Sequence, residues 1–464
     1  MNLIPDLITA LPEVTIVVLT LLLLLYGAFL GNKSTGTVSW LSIITMCLAV
    51  ILVISGPIER VTAFNHLFVV DEFSNYAKLL ILIAASLTLI LAMPYNKREN
   101  ILQFEFPILI LFAVVGMMMM VSANDLISLY LGIELQSLSL YILATIRRDS
   151  VKSAEAGLKY FVLGALSSGI LLYGMSMVYG FSGSTGFDSL TIVFDNYSDK
   201  DSIIGVTVGL VFIMAGLAFK VSAVPFHMWT PDVYEGAPTP ITTFFAIAPK
   251  VAAMILIIRI LIQPFGEFFD QWQQIIWFIS AASMILGAFA AINQSNIKRL
   301  MAYSSIGHMG FILVGLVAGN ESGTQAVLLY LTVYLFMNIG TFACILAMRR
   351  QGRMVEDIDQ LAGLSRTNPI MAICLTIFMF SMAGIPPLAG FFGKYFIFKA
   401  AIEANLYTLT VLGLLASVVS AYYYLRIVKL MYFDSPLDSF DLPVGKEISI
   451  VTIGMSAVVV FFIF

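Results

Sequence analysis

Apolar runs of about 20 residues, the length of a helix that crosses a bilayer, follow one another along almost the whole chain. Only 11% of the 464 residues are charged and 60% are hydrophobic, whereas a soluble domain carries about 25% charged residues. The sequence therefore predicts an all-α integral membrane protein. It leaves no stretch long enough for a separate extramembrane domain.

The spacing of apolar runs predicts about fourteen spanning helices. They cover residues 10–31, 37–56, 73–93, 105–122, 125–146, 154–180, 203–223, 237–262, 271–292, 300–318, 325–348, 369–402, 404–430 and 447–464. The first run has no basic leader, so we expect a retained helix and not a cleaved signal peptide. The chain, 1–464, is then a single membrane domain. Its expected parts are three N-terminal helices in 1–104, five-helix segments 105–262 and 271–430, and the last helix 447–464.

Lysine and arginine favour the loops that follow odd-numbered helices. These residues are Lys33, Lys97, Arg98, Arg147, Arg148, Lys152, Lys298, Arg299, Arg349, Arg350, Arg353, Arg366, Arg426, Lys429 and Lys446. Loops after even-numbered helices hold only Arg60 and Lys200. Because cytoplasmic loops carry the positive excess, both chain termini are expected on the periplasmic side.

No redox cofactor and no metal centre is expected in this chain. The three cysteines lie in three different predicted helices, without the paired spacing of an iron–sulfur or zinc site. The three histidines are widely scattered, and no phosphate-binding glycine motif occurs. The sequence therefore gives no sign of nucleotide hydrolysis or dinucleotide binding.

Four ionisable side chains stand inside apolar runs where spanning helices are expected: Glu134, Lys220, Lys250 and Lys394. A charge near the bilayer centre costs roughly 2.5 to 3.5 kcal/mol on insertion scales, so such residues usually face a protein interior or a water path and serve a function. Burial and neighbouring charges shift their protonation, which suits them to carrying protons. The pattern predicts a proton relay with Lys250 as its mid-membrane carrier.

Several of the candidates also have a structural interpretation. Glu134 could be the partner in a structural ion pair, and Lys220, near the end of its run, could extend its amine to the membrane surface. Three further residues are weaker candidates for the relay. Lys159 could instead pair with the acid one turn before it, His308 could be a neutral core histidine, and His227 could cap carbonyls freed at a helix break.

Proline interrupts two of the predicted helices close to a lysine. Pro225 follows Lys220, and Pro386 and Pro387 precede Lys394. Transporters use broken helices of this kind at ion sites. The two breaks are five helices apart, and a five-helix repeat must place its second copy upside down in the membrane. Helices four to eight and nine to thirteen are therefore predicted to be inverted repeats.

The chain carries two distinctive segments. Residues 219–238 begin Phe-Lys-Val-Ser-Ala-Val-Pro-Phe-His-Met-Trp-Thr-Pro-Asp, and residues 298–308 are Lys-Arg-Leu-Met-Ala-Tyr-Ser-Ser-Ile-Gly-His. Both resemble the antiporter-like membrane subunits of respiratory complex I, the proton-pumping NADH:quinone oxidoreductase, and the resemblance extends over nearly the whole chain. The opening Leu11-Pro12-Glu13, the length and the lysine at position 394 are similar to the N branch of that family, the bacterial counterpart of mitochondrial subunit 2.

The resemblance implies about fourteen helices with two inverted bundles. It also implies a hydrophilic axis on which Glu134 and Lys220 pair, Lys250 lies centrally and Lys394 ends the path. The weaker candidates on helices six and ten match positions on or beside this axis. The implied role is a proton-translocating, multi-pass subunit of the bacterial inner membrane.

In this family, quinone reduction in partner subunits drives the translocation. Those partners hold NADH, FMN, iron–sulfur clusters and quinone, while a chain of this type holds no redox centre. The expected neighbours are an M-type antiporter-like subunit, small membrane subunits and the lipid bilayer, and not nucleic acid. Two other assemblies built from this module stay open, namely a multi-subunit sodium/proton antiporter and a proton-pumping membrane hydrogenase. A purely structural anchor would gain nothing from four costly charges.

Overall fold

The computed structural model describes residues 3–195, 200–441 and 445–462, and helices dominate it. The helices up to the first break are α1 (Leu3–Thr9), α2 (Leu11–Leu30), α3 (Thr35–Ile54), α4 (Glu72–Arg98), α5 (Glu105–Val121), α6 (Leu126–Ala144), α7 (Val151–Ser182), α8 (Phe187–Asp195) and α9 (Lys200–Lys220). The others are α10 (Trp229–Gly236), α11 (Thr239–Ile262), α12 (Phe269–Ile292), α13 (Ile297–Val317), α14 (Glu321–Ala347), α15 (Leu364–Thr367), α16 (Pro369–Ala383), α17 (Ala389–Glu403), α18 (Tyr407–Phe433) and α19 (Lys446–Phe461). The end of the last predicted helix, residues 463–464, lies outside the described residues.

Ten helical segments in the described part of the chain are long and apolar enough to cross a membrane. One of them, Leu11–Ile54, contains both α2 and α3, and the apolar helices α5 and α16 are shorter than the others. The prediction of a multi-pass, mostly helical membrane protein is therefore confirmed. The number of fourteen spans stays a prediction.

Polar side chains fix where several of these helices begin. Asp125 precedes α6, and its carboxylate accepts hydrogen bonds from the backbone N–H groups of Ile127 and Ser128. The first N–H groups of a helix have no partner within the helix, so a side-chain acceptor at this position stabilises its start. Asn296 caps α13 in the same way, and Asn320 caps α14.

Both predicted proline breaks interrupt helical structure. The first lies between the end of α9 at Lys220 and the start of α10 at Trp229, and the second separates α16 from α17. Gly384 ends α16 in the left-handed conformation, with φ of +88°, which a residue without a Cβ adopts at little cost. Pro249, in contrast, lies inside the continuous helix α11.

Contacts divide the chain into two compact units. The first comprises Met1–Leu89, Asn100–Val221 and Ala248–Trp272, and the second comprises Ile90–Glu99, Ser222–Ile247 and Gln273–Phe464. In the first unit, α5 packs against α6, and α7 packs against α9. In the second unit, α14 is a central helix that packs against α13, α16, α17 and α19.

Each unit also holds one short antiparallel hairpin. In the first unit, β1 (Val61–Ala63) pairs with β2 (Phe68–Val70). Its turn is joined to the loop before α6, where the backbone N–H of Asn124 donates to the carbonyl of Leu67 at 3.1 Å. The residue after β2, Asp71, accepts two hydrogen bonds from Arg259 of α11 at 2.8 and 2.9 Å. In the second unit, β3 (Arg349–Arg350) pairs with β4 (Arg353–Met354).

Small residues allow α7 and α9 to approach closely. A Cβ on Gly174 would lie 2.6 Å from the carbonyl oxygen of Gly209 and 2.8 Å from the backbone nitrogen of Ile213. These atoms belong to helix backbone and cannot move aside without separating the helices. Gly169, one and a half turns earlier on α7, has no atom within 4 Å of such a Cβ.

We expect Gly174→Ala to destabilise the protein by about 2 kcal/mol, because overpacking a tight contact forces the backbone apart. Gly169→Ala is the matched control and should be neutral or slightly stabilising, since alanine favours a helix over glycine. Thermal melts of the purified protein in detergent measure both effects. Equal melting temperatures for the two variants would contradict the close packing of α7 on α9.

Candidate functional site

Lys220 ends α9 with a buried amine in the first unit. The residue is 8% exposed, and its Nζ donates to the hydroxyl of Ser137 on α6 at 2.8 Å and to that of Ser168 on α7 at 3.5 Å. Ser137 itself donates to the carbonyl of Ile133 at 2.7 Å, so its oxygen is free to accept from the amine. The position of Lys220 does not fit an amine that extends to the membrane surface.

Glu134 lies one turn before Ser137 on α6 and is half-buried. It is close enough to Lys220 for a charge–charge interaction, while the hydrogen bonds of that amine go to serine hydroxyls. A further polar group of α6, the Gln136 amide oxygen, is buried without a hydrogen-bond partner among the described residues. Buried polar groups of this kind commonly bind ordered water, so this part of the first unit is suited to proton transfer.

Lys250 is the most deeply enclosed of the predicted relay residues. It lies at the centre of the 24-residue helix α11, directly after Pro249, and is 0% exposed. The apolar part of α11 is 94% buried inside the protein. An amine in this position is enclosed by protein, so any proton that it exchanged would pass through neighbouring groups.

Lys394 on α17 is held by the second helix break. It is 6% exposed, and its Nζ donates to the backbone carbonyl of Ala383 at 3.0 Å and to the Ser417 hydroxyl at 2.8 Å. Ala383 is the last residue of α16, where carbonyls lack a partner within the helix and the helix dipole favours a cation. The Nζ also lies 4.8 Å from the centre of the Phe311 ring, a distance suited to a cation–π contact.

His308 on α13 is buried in the second unit among tyrosines. Its Nδ1 lies 2.8 Å from the hydroxyl of Tyr330, and its Nε2 lies 3.1 Å from that of Tyr424. Its ring also meets the ring of Phe311, with centroids 6.3 Å apart. The second unit thus brings His308 and Lys394 to the same phenylalanine.

The other two candidates are more exposed. Lys159 lies on α7 and forms an ion pair of 2.7 Å with Glu155, one turn earlier, where both side chains are largely exposed. This is the geometry of an ordinary helix-stabilising pair. His227 lies in the break between α9 and α10, and its carbonyl accepts from the N–H of Thr230. Its Nδ1 is buried without a hydrogen-bond partner in the described part of the chain.

The structure also holds buried charges whose partners the sequence does not indicate. Lys78 on α4 and Glu13 on α2 form an ion pair of 2.7 Å in the first unit, and both side chains are almost fully buried. In the second unit, Lys298, which the charge pattern places in a cytoplasmic loop, is buried at the start of α13. It donates to the carbonyl of Ala237 and to the carboxylate of Glu356.

No group of three or more His, Cys, Asp or Glu that could hold a metal occurs among the residues described.

Comparison with known proteins covers nearly the whole chain. Residues 123–420 match the family profile described as NADH:quinone oxidoreductase/Mrp antiporter, TM. The chain is 58% identical over 448 residues to a protein of Paramagnetospirillum magneticum named NADH-quinone oxidoreductase subunit N. This alignment covers 96% of the present chain and 92% of the relative.

Two solved structures have the same fold. A chain of respiratory complex I from Thermus thermophilus with bound aureothin has a TM-score of 0.82 and 30% identity, covering 97% of this chain and 96% of that chain. A chain of the Mrp complex from Dietzia sp. has a TM-score of 0.79, covering 99% and 94%. At 23% identity this second likeness concerns the fold alone.

The hydrogen bond between Lys220 and Ser137 can be tested by measuring the thermal stability of variants. We expect Ser137→Ala to cost roughly 1 to 3 kcal/mol, because a buried ammonium loses its nearest acceptor. Ser139→Ala is the control, since Ser139 lies on the same helix, is also buried, and donates only to its own helix at Leu135. Thermal melts at neutral pH should separate the two variants, and an unchanged melting temperature for Ser137→Ala would refute the contact.

Proposed function

The chain belongs to the family of NADH-quinone oxidoreductase subunit N, and from this premise we propose that its buried ionisable side chains carry protons across the membrane. Quinone reduction in partner subunits supplies the energy, and the redox groups belong to those partners. The residues that we assign to the path are Glu134, Lys220, Lys250, His308 and Lys394. Lys159 and His227 are assigned to its periphery.

The observation that carries this proposal is the kind of partner that the buried amines have. Lys78 is matched by the carboxylate of Glu13, as expected for a structural ion pair, since a buried cation without a counter-charge is costly. Lys220 and Lys394, in contrast, donate to serine hydroxyls and to a backbone carbonyl. An amine held by neutral acceptors can lose its proton without breaking a direct ion pair, which is the property that a relay requires.

Glu134 is the group through which a distant event would act in the first unit. Its negative charge favours the ammonium form of Lys220. When that charge is neutralised or moves away, Lys220 releases its proton more readily, and we assign Lys250 as the next carrier. His308 and Lys394 of the second unit serve the later part of the path.

The proposal includes the topology that the charge pattern predicts. The segments 105–262 and 271–430 are assigned to two inverted five-helix repeats, and about fourteen helices span the bilayer. Both chain termini are assigned to the periplasm because lysine and arginine concentrate in the loops on the other side. A reporter enzyme that is active only in the periplasm, fused to the last helix, should be active, and an inactive fusion would overturn this orientation.

The relay itself can be tested in membrane vesicles that contain the assembled enzyme. We expect Lys220→Ala and Lys250→Ala each to lower NADH-driven proton uptake by about tenfold or more, because a proton carrier is removed. Quinone reduction should fall with it, since the two reactions are coupled. Lys399→Ala, which removes an exposed lysine, is the matched control and should leave both rates unchanged.

Lys250→Arg separates a relay from a structural charge. An arginine keeps the positive charge but does not release its proton at physiological pH, so the relay predicts that this variant also fails while the enzyme assembles normally. Rescue by arginine, or full proton uptake in both alanine variants, would refute the relay. Proton movement that requires sodium and not NADH would favour the sodium/proton antiporter; the matched family description also names an Mrp antiporter.

A further inference from the structure

A network of side-chain hydrogen bonds surrounds His308. Both ring nitrogens of this residue are engaged by phenols, Tyr330 of α14 at Nδ1 and Tyr424 of α18 at Nε2. The Tyr424 hydroxyl also forms a hydrogen bond of 2.5 Å with the hydroxyl of Ser304, one turn before His308 on α13. All four side chains are buried, each at most 2% exposed. Four polar side chains from three helices thus form one continuous chain of hydrogen bonds.

The chemistry of imidazole gives this chain a direction. A neutral histidine has one N–H donor and one acceptor nitrogen, so one tyrosine must donate to His308 while the other accepts from it. The opposite arrangement is reached when every bond in the chain transfers one proton. Each hydroxyl and the ring can both donate and accept, so no member blocks the transfer.

The ring carbons of Tyr330 pack against the helix that carries Lys394. A Cβ on Gly393 would lie 3.1 Å from the Tyr330 ring, and Gly393 directly precedes Lys394 on α17. The ring of Phe311 contacts both His308 and the amine of Lys394, and this apolar ring cannot itself conduct a proton. A proton that leaves His308 could instead pass to the Tyr330 hydroxyl, which bonds to Nδ1 from α14.

We propose that Ser304, Tyr424, His308 and Tyr330 form a proton wire. In this wire the two tyrosines carry protons, as the buried lysines do. This proposal rests on the proton-carrying function proposed above. The chain Ser304–Tyr424–His308–Tyr330 is called the tyrosine wire below.

The transfer along the tyrosine wire balances at every step. Ser304 takes up a proton from water and gives its own to the Tyr424 oxygen. The O–H bond of Tyr424 breaks as an N–H bond forms at Nε2 of His308, and the Nδ1–H bond breaks as an O–H bond forms on Tyr330. Tyr330 then releases its original proton to water. Every group loses one bond to hydrogen and gains another, so none of them ends with a changed charge.

Tyr334 provides a matched control for a purely structural role. It lies on α14 one turn after Tyr330, is equally buried, and packs its ring 5.4 Å from that of His308. Its hydroxyl, however, bonds to Ser305 at 2.8 Å and not to a nitrogen of His308. Loss of this phenol removes a buried hydrogen bond of the same kind without breaking the wire.

The test uses the assembled enzyme in membrane vesicles with Tyr424→Phe, Tyr330→Phe and Tyr334→Phe. We expect the first two to lower NADH-driven proton uptake by about tenfold and to increase its solvent deuterium isotope effect, because proton transfer becomes rate-limiting. Tyr334→Phe should change neither quantity. A structural role of Tyr424 and Tyr330 would lower the amount of assembled enzyme and leave the isotope effect of the remainder unchanged.

Normal uptake and a normal isotope effect in Tyr424→Phe would overturn the tyrosine wire. Should that variant fail to assemble, Ser304→Ala interrupts the same wire at its other end with a smaller change, and normal uptake there overturns it equally. Lys250→Ala is run alongside. Full uptake in Lys250→Ala would refute the relay as a whole, whereas its loss together with normal uptake in Tyr424→Phe would refute the tyrosine wire alone.

Discussion

The arrangement of this protein depends on one constraint, which is that an ammonium group buried in a membrane needs hydrogen-bond acceptors from the protein. The second helix break provides one directly, because the last carbonyl of α16, at Ala383, accepts from Lys394. Had α16 and α17 formed one unbroken helix, that carbonyl would have bonded within the helix. The break at Gly384 and the two prolines after it thus frees the carbonyl that accepts from the buried lysine.

Four of the buried cations, Lys78, Arg259, Lys220 and Lys394, differ in the kind of acceptor that holds them. Lys78 and Arg259 are matched by carboxylates, and loss of the Lys78 proton would leave the buried carboxylate of Glu13 without its counter-charge. Lys220 and Lys394 are held by hydroxyls and a carbonyl, which are neutral whether or not the amine is charged. A buried ion pair stabilises only the charged form of the amine, whereas neutral acceptors allow both the charged and the neutral form.

The sequence predicts the helices well because lipid imposes a simple rule on apolar length. The predicted run 237–262 is helical over Thr239–Ile262, and the run 369–402 is helical on both sides of its predicted break. The polar partners could not be predicted. Ser137 and Tyr424 are neutral residues in apolar helices, so a hydropathy profile does not distinguish them from their neighbours. They are also far from Lys220 and His308 along the chain, so the sequence alone does not show that these residues are in contact. Local sequence also does not decide whether a proline breaks a helix, since α11 continues through Pro249.

Glu134 illustrates how such a site could respond to an event elsewhere in an assembly. We propose that it acts on Lys220 through its charge, while Ser137 and Ser168 make the hydrogen bonds to the amine. Coulomb attraction weakens gradually with distance and vanishes when the carboxylate is protonated, but a hydrogen bond is lost over a few tenths of an ångström. The position of Lys220 can therefore stay fixed by serine while the energy of its charged form is altered by Glu134. A relay gains from this separation, because the proton affinity of its carrier changes without any loss of the geometry along which the proton leaves.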